Sequence, residues 1–157
     1  MPFIHLTTFI AAPGERVFDL SRSVELHRAS MKNYGEKIIN GKIAGLMETG
    51  DSVTWEARHL FKKRFLKTIV KEMKRPEYFI DEQVTGDFVM MKHEHYFKVV
   101  ENGTLMIDQF HFESPYGSFG RLINNIYLKK YMQKLLESRN EMIKQVAEGN
   151  QWKQYLT

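Results

Sequence analysis

The longest uninterrupted pattern in the chain is its last one, from Ser118 to about Glu148, and it limits what the rest can be. Apolar residues recur at Phe119, Leu122, Ile123, Ile126, Tyr127, Met132, Leu135, Leu136, Met142, Ile143 and Val146. That is the i, i+3, i+4, i+7 spacing of an amphipathic helix. Lys129, Lys130, Lys134, Glu137, Arg139, Glu141 and Lys144 mostly take the opposite, solvent side. Pro115, Tyr116 and Gly117 set off the start, and Gly149 follows the end as a C′ glycine. Such a helix is roughly 45 Å long at about 1.5 Å per residue. It cannot bury its stripe alone, so a wide apolar surface must receive it.

Everything upstream reads as that receiver. Phe3 to Ile10 is apolar and β-branched, a strand stopped by Ala11-Ala12-Pro13-Gly14. Pro13 then opens a short helix whose apolar side is Val17, Phe18 and Leu20. A second short helix runs from about Val24 to Ala29, with Ser23 as its N-cap. From there to residue 118 the pattern is that of strands: Lys37–Leu46, Ser52–Leu60, Phe65–Lys74, Tyr78–Thr85, Phe88–Val100 and Thr104–Glu113. Their separators are turn signals or charged pairs, including Glu48-Thr49-Gly50-Asp51, Lys62-Lys63, Arg75-Pro76-Glu77 and Gly86-Asp87; Asn102-Gly103 is the clearest hairpin turn. Short connections favour an antiparallel meander, since parallel neighbours need crossovers.

The implied fold class is α+β. A seven-stranded curved antiparallel sheet wraps a long C-terminal helix, with two short helices after strand 1, in one domain over residues 1–157. A wide sheet and a narrow rod do not fill the space between them, so a cavity beside the helix is expected. The chain has no cysteine, which excludes disulfides, thiolate metal sites and cysteine nucleophiles. Its N-terminus lacks the basic region and apolar run of a signal peptide, and no stretch reads as a membrane span, so a cytoplasmic protein is expected. The net charge of +4 is modest. Lys62-Lys63-Arg64 and Lys129-Lys130 are the densest basic spots and read as solvated surface, so no nucleic-acid partner is expected.

Parity along the strands sorts the cavity wall. In Phe88–Val100 the inner set is Val89, Met91, His93, His95, Phe97 and Val99. In Thr104–Glu113 it is Thr104, Met106, Asp108, Phe110 and Phe112. In Ser52–Leu60 it is Val53, Trp55, Ala57 and His59. In Tyr78–Thr85 composition slightly prefers Tyr78, Ile80, Glu82 and Val84 as core over Phe79, Asp81 and Gln83. The constellation that carries chemistry is His93, His95 and Asp108 on adjacent strands, with His59 and one of Asp81 or Gln83 nearby. A carboxylate bonded to an imidazole fixes its tautomer and raises its basicity. The same set also serves as a buried polar network that only holds the sheet together. His93-x-His95 puts two imidazoles on one face, as zinc sites do, but no fourth protein ligand is in view and no metal or other cofactor is assigned. No nucleophile elbow, paired catalytic carboxylates or His-Glu-x-x-His motif is present.

Several stretches resemble the helix-grip superfamily of START-like domains, SRPBCC, which includes plant pollen allergens, lipid-transfer domains and polyketide cyclases/dehydrases. The likeness is to its bacterial single-domain, ligand-binding members. It is carried by residues 45–55 (Gly-Leu-Met-Glu-Thr-Gly-Asp-Ser-Val-Thr-Trp), Arg58-His59, residues 79–86, His93-Glu94-His95, residues 103–108, Pro115-Tyr116-Gly117 and Gly120-Arg121-Leu122. The resemblance implies a hydrophobic cavity between sheet and helix, and its Phe79-x-Asp81-x-Gln83 match adds Asp81 and Gln83 to the possible liners. The candidate ligand-binding residues are then Trp55, His59, Asp81, Gln83, Met91, His93, His95, Phe97, Asp108, Phe110, Tyr116 and Phe119. Two functions are open: binding of a small hydrophobic or amphipathic molecule, or a cyclase/dehydratase-type enzyme using His93, His95 and Asp108 as its acid/base group.

Overall fold

The computed structural model describes residues 2–59, 61–114 and 118–157, with the backbone alone for 118–125. The chain runs β1 (Phe3–Ile10), α1 (Gly14–Ser21), α2 (Val24–Ser30), a 3₁₀ turn (Lys32–Tyr34), β2 (Lys37–Gly41), β3 (Ser52–His59), β4 (Lys62–Lys74), β5 (Tyr78–Thr85), β6 (Met90–Val100), β7 (Gly103–Glu113), α3 (Ser118–Glu148) and α4 (Trp152–Leu156). All strands join one antiparallel sheet in the order β1-β7-β6-β5-β4-β3-β2. Six successive strands form the meander, and β1 closes its far edge against β7, from Phe3↔His111 to Ile10↔Thr104.

Local chemistry accounts for most boundaries. The Ser23 hydroxyl accepts from the Leu26 amide at 3.2 Å, which caps α2. Asn102 takes the left-handed conformation (φ 65°) in the β6–β7 hairpin. Gly103 is required for a different reason: a Cβ there would lie 2.4 Å from the Ile10 carbonyl oxygen of the neighbouring strand.

Four expectations are corrected. β2 stops at Gly41 rather than Leu46, because Gly41 (φ 89°) turns the chain out of the ladder. β4 starts at Lys62 rather than Phe65, so Lys62-Lys63 is strand, and Phe61 at φ 64° makes the turn. Gly149 does not take a left-handed C′ conformation; its amide donates back to the Gln145 carbonyl, and the chain turns into α4. In β5 the inner set is Phe79, Asp81 and Gln83, while Val84 is exposed. Composition misled there because the inner face at that point is polar.

The long helix α3 is 31 residues and crosses the concave face of the sheet. Its C-terminal half is tied down: Lys144 Nζ donates to the Phe9 carbonyl at 2.8 Å, and Glu148 accepts from the Ala11 amide at 2.8 Å. Below it the base of the molecule is solid. Phe18 from α1 is fully buried and meets Phe79 and Phe97 edge-on, at 5.4 and 5.1 Å between centroids, with Met106, Ile143 and Val146 around them. Two further apolar groups, around Phe110 and Phe112 and around Trp55 and Val53, lie farther along the sheet. Ile126 and Tyr127, placed on the apolar stripe by spacing, are exposed, as are Val89 and Val99 at the two ends of β6.

Candidate functional site

Between the inner face of the sheet and helices α2 and α3 lies a cavity of about 820 Å³. Trp55 and Met91 from the sheet, Met31 just after α2, and Met132 and Leu135 from α3 make an apolar wall. The volume falls within the range of small-molecule sites, roughly 300–1,000 Å³.

One part of the wall is polar, and it is built where β5, β6, β7 and α3 meet. His93 and His95 share the inner face of β6 and stack at 3.7 Å between centroids. Phe79 stacks on the other side of His95 at 4.1 Å. Asp108, fully buried on β7, accepts from His93 Nε2 at 2.8 Å and lies 3.4 Å from His95 Nδ1. Asp81 on β5 accepts from His95 Nε2 at 2.8 Å. A bulge in β4 opposite Asp81, between Val70 and Glu72, bends the sheet at this point.

The network is closed from the helix side. Asn140 Nδ2 donates to Asp108 Oδ2 at 2.7 Å, and Arg139 reaches Asp108 Oδ1 at 3.4 Å, Asn140 Oδ1 at 2.9 Å and the Ser21 carbonyl at 3.3 Å. Sequence reasoning placed Arg139 in solvent and passed over Asn140; both are buried. The signal was in the phase of the helix. Arg139 follows Leu135 by four and Leu136 by three and precedes Ile143 by four, all of them buried.

The charges balance inside this group. Burial pushes His93 down to about 4, helped by the charge on neighbouring His95, so it is neutral. Burial also opposes charge on His95, but Asp81 and Asp108 outweigh it and raise its value, favouring the imidazolium. Burial likewise opposes ionisation of Asp81 and Asp108, yet His95 lowers the first, and hydrogen bonds from His93 and His95 hold the second well below the usual carboxylate range. In the imidazolium form that these carboxylates favour, His95 together with Arg139 matches the charge of Asp81 and Asp108. Because a carboxylate cannot donate, neutral His93 donates through Nε2, and its Nδ1 keeps a lone pair.

A second polar spot lines the cavity near α2. The Glu36 side chain is only 6% exposed, and its Oε1 makes no hydrogen bond. His27 Nε2 lies 3.1 Å away, within ion-pair reach but off hydrogen-bond geometry, and the His27 ring packs on Trp55 at 4.5 Å.

Of the residues anticipated from sequence, Trp55, His59, Asp81, Met91, His93, His95 and Phe110 line the cavity. Phe97 does not; it packs on Phe18 in the base. Gln83 faces inward, but its amide donates to the Phe88 carbonyl at 2.8 Å. Asp108 stands behind the histidines rather than at the wall. His59 is not near the pair on β6: two strands intervene, and it bonds the Tyr131 hydroxyl at 2.8 Å and packs on Tyr34. Tyr116 and the side chain of Phe119 lie outside the described residues.

Asp81, His93 and His95 bring potential metal-donor atoms within 4.8 Å of one another, the one such group among the described residues. Ligation through His95 Nε2 would break its 2.8 Å bond to Asp81. It would also set a cation beside the Arg139 guanidinium, which lies 3.5 Å from His95 Nδ1. The chemistry of the group is that of an ion network rather than a metal centre.

A curved seven-stranded antiparallel sheet gripping a C-terminal helix over a hollow, with two short helices after β1, is a helix-grip fold. Several solved structures share it over nearly their whole length. TTHA0849 from Thermus thermophilus is 21% identical and covers 90% of this chain and 97% of its own, with a TM-score of 0.70. The ginseng major latex-like protein 151 from Panax ginseng is 13% identical over 94% of this chain and 97% of its own, at 0.69. Ara h 8.0201 is 9% identical over 90% and 96%, at 0.65. No family model matches the chain, and no curated protein matches it in sequence.

Proposed function

We propose that the chain is a cytoplasmic single-domain binding module that takes up a small apolar or amphipathic molecule between the sheet and α3. The observation that carries this is the cavity of about 820 Å³, apolar over most of its wall. Apolar burial supplies most of the affinity there, and a few polar groups set the orientation. Several acceptor atoms at the wall are without an assigned partner. Glu36 Oε1 has no hydrogen-bond partner, and among the described residues none is assigned to the second oxygen of Asp81 or to Nδ1 of His93. A ligand that donates, through a hydroxyl or amine, fits such a wall. An acid/base role for His93, His95 and Asp108 fits less well, because the three are hydrogen-bonded within the group and an imidazole held near 4, as His93 is, makes a weak base at neutral pH.

Native mass spectrometry of protein purified from its own host tests the reading, together with uptake of the apolar fluorophore N-phenyl-1-naphthylamine. The expected result is a retained small molecule or fluorophore binding, either of them lost on filling the cavity with Met132→Trp. Apo mass alone, with no fluorophore uptake by the wild type, would refute it.

A further inference from the structure

Two segments far apart in the chain, Phe61 to Phe65 and Tyr127-Leu128, both contribute to the cavity wall, and each carries one of the basic spots of the sequence beside it. Among the cavity-lining residues Phe61 is 99% exposed and Phe65 and Tyr127 are also exposed, which marks where the hollow opens. Phe61 sits at the tip of the β3–β4 hairpin, between paired His59 and Lys62. Lys62 to Leu66 pair with β3 only, since pairing with β5 begins at Lys67, so this arm projects past the sheet. A tight hairpin turn favours Asn or Gly, yet Phe61 takes the left-handed region at φ 64° here. Turn geometry therefore does not explain a phenylalanine in water.

The surroundings of Phe61 are apolar and cationic. Ile126 and Tyr127 on α3 are exposed, and Val89 is exposed at the same end of the sheet. Lys62 and Lys63 flank the tip, and Lys129 and Lys130 follow Tyr127, all exposed; Lys130 falls one helical turn from both Ile126 and Tyr127. Two carboxylates of this hairpin region are engaged, Asp87 with Arg64 at 2.6 Å and Glu56 with Lys63 at 3.6 Å, and Glu113 pairs opposite Met90 at the same end of the sheet.

We propose that this mouth docks on an anionic lipid bilayer, with Phe61 and Tyr127 entering the interface and Lys62, Lys63, Lys129 and Lys130 facing the headgroups. Exposed aromatics ringed by lysines match a surface that is apolar beneath and negative above. Docked this way, the cavity opens toward the membrane, a route for an apolar ligand that avoids water. That purpose rests on the ligand-binding reading, while the docking itself is tested without any ligand.

The experiment is co-sedimentation of the full chain with vesicles of phosphatidylcholine alone and of phosphatidylcholine with phosphatidylglycerol at a 7:3 ratio. Binding is expected on the anionic vesicles only, weakening as salt rises. Each lysine near such a surface is worth about a five-fold gain in partition, so Lys62→Gln/Lys63→Gln should lose about 25-fold. Lys129→Gln/Lys130→Gln should lose a similar amount, and Lys98→Gln/Lys153→Gln, away from the mouth, little. Phe61→Gly separates docking from folding: glycine suits the left-handed position, so thermal stability should hold or rise while vesicle binding falls. No binding to anionic vesicles, or equal loss in the distant lysine pair, would overturn the proposal. So would a dimer by light scattering that Phe61→Gly dissolves, or heparin binding without vesicle binding. Vesicle binding with no small-molecule uptake would leave the docking standing and remove only its purpose.

Discussion

Acidification from pH 6.5 to 4.5 is expected to destabilise the protein by about 2 kcal/mol, chiefly through His93. In the folded chain burial holds this imidazole near 4, whereas the unfolded value is 6.5. Between those limits the unfolded state binds a proton that the native state refuses, so stability rises with pH at up to about 1.4 kcal/mol per unit. The two units between 6.5 and 4.5 supply the figure. His59, also lowered by burial, acts in the same direction. Asp81 and Asp108, both lowered, are ionised in folded and unfolded chains above about 4.5 and begin to lose their contribution only below that. His95 is raised, so its contribution is complete below 6.5 and is lost as pH climbs through its folded value. The pair therefore places maximum stability near 6.5. Urea unfolding at four pH values and constant ionic strength, followed by tryptophan fluorescence, measures it. With a slope of about 2 kcal/mol per molar urea, the midpoint should fall by about 1 M from pH 6.5 to 4.5. His93→Gln keeps a donor for Asp108 but cannot titrate, so most of the acid slope should vanish. A flat wild-type midpoint over this range, or an unchanged slope in His93→Gln, refutes the reasoning.

Asp108→Leu should cost about 3–5 kcal/mol in the same assay, because it leaves the buried Arg139 without its carboxylate; a loss under about 1 kcal/mol would mean Arg139 finds water instead. Phe18→Ala removes a fully buried ring that two other phenylalanines pack against, and about 3–5 kcal/mol should go with it. Gly41→Ala forces a Cβ to 2.3 Å from the Ser52 carbonyl oxygen at φ 89°, so its melting temperature should drop, whereas Gly50→Ala, with open space around it, should lose less. In displacement of N-phenyl-1-naphthylamine, Glu36→Leu should leave simple alkanes as effective as before and weaken long-chain alcohols by about 1–3 kcal/mol if Glu36 accepts their hydroxyl.

Element order and strand count were legible because they rest on local rules. Alternation, turn residues such as Asn102, and the Ser23 cap act within a few positions of one another. The inward parity of β7 was legible for the same reason, from Thr104 through Phe112. The site was legible in part. His93 and His95 share a face by parity, and Asp108 stands opposite His95 once the hairpin sets the register. Parity reasoning failed where burial and polarity part company. On β5 the inner face carries Asp81 to a histidine two residues off its register partner, so counting apolar residues picked the wrong side. On α3 charge was allowed to outweigh phase, which hid Arg139.

The amino-acid sequence by itself determined the strands, the helices, their order and the antiparallel pairing of successive strands, since each depends on neighbours close in the chain. Only the tertiary structure decided that β1 closes the sheet on β7 and that Arg139 and Asn140 complete an ion group around Asp108. The same holds for the way Phe61, Arg64 and Phe65 come to line one cavity with Tyr127 and Leu128. Those outcomes join residues that are distant in sequence. They follow from sheet curvature and helix placement, which minimise the free energy of the whole chain rather than of any segment.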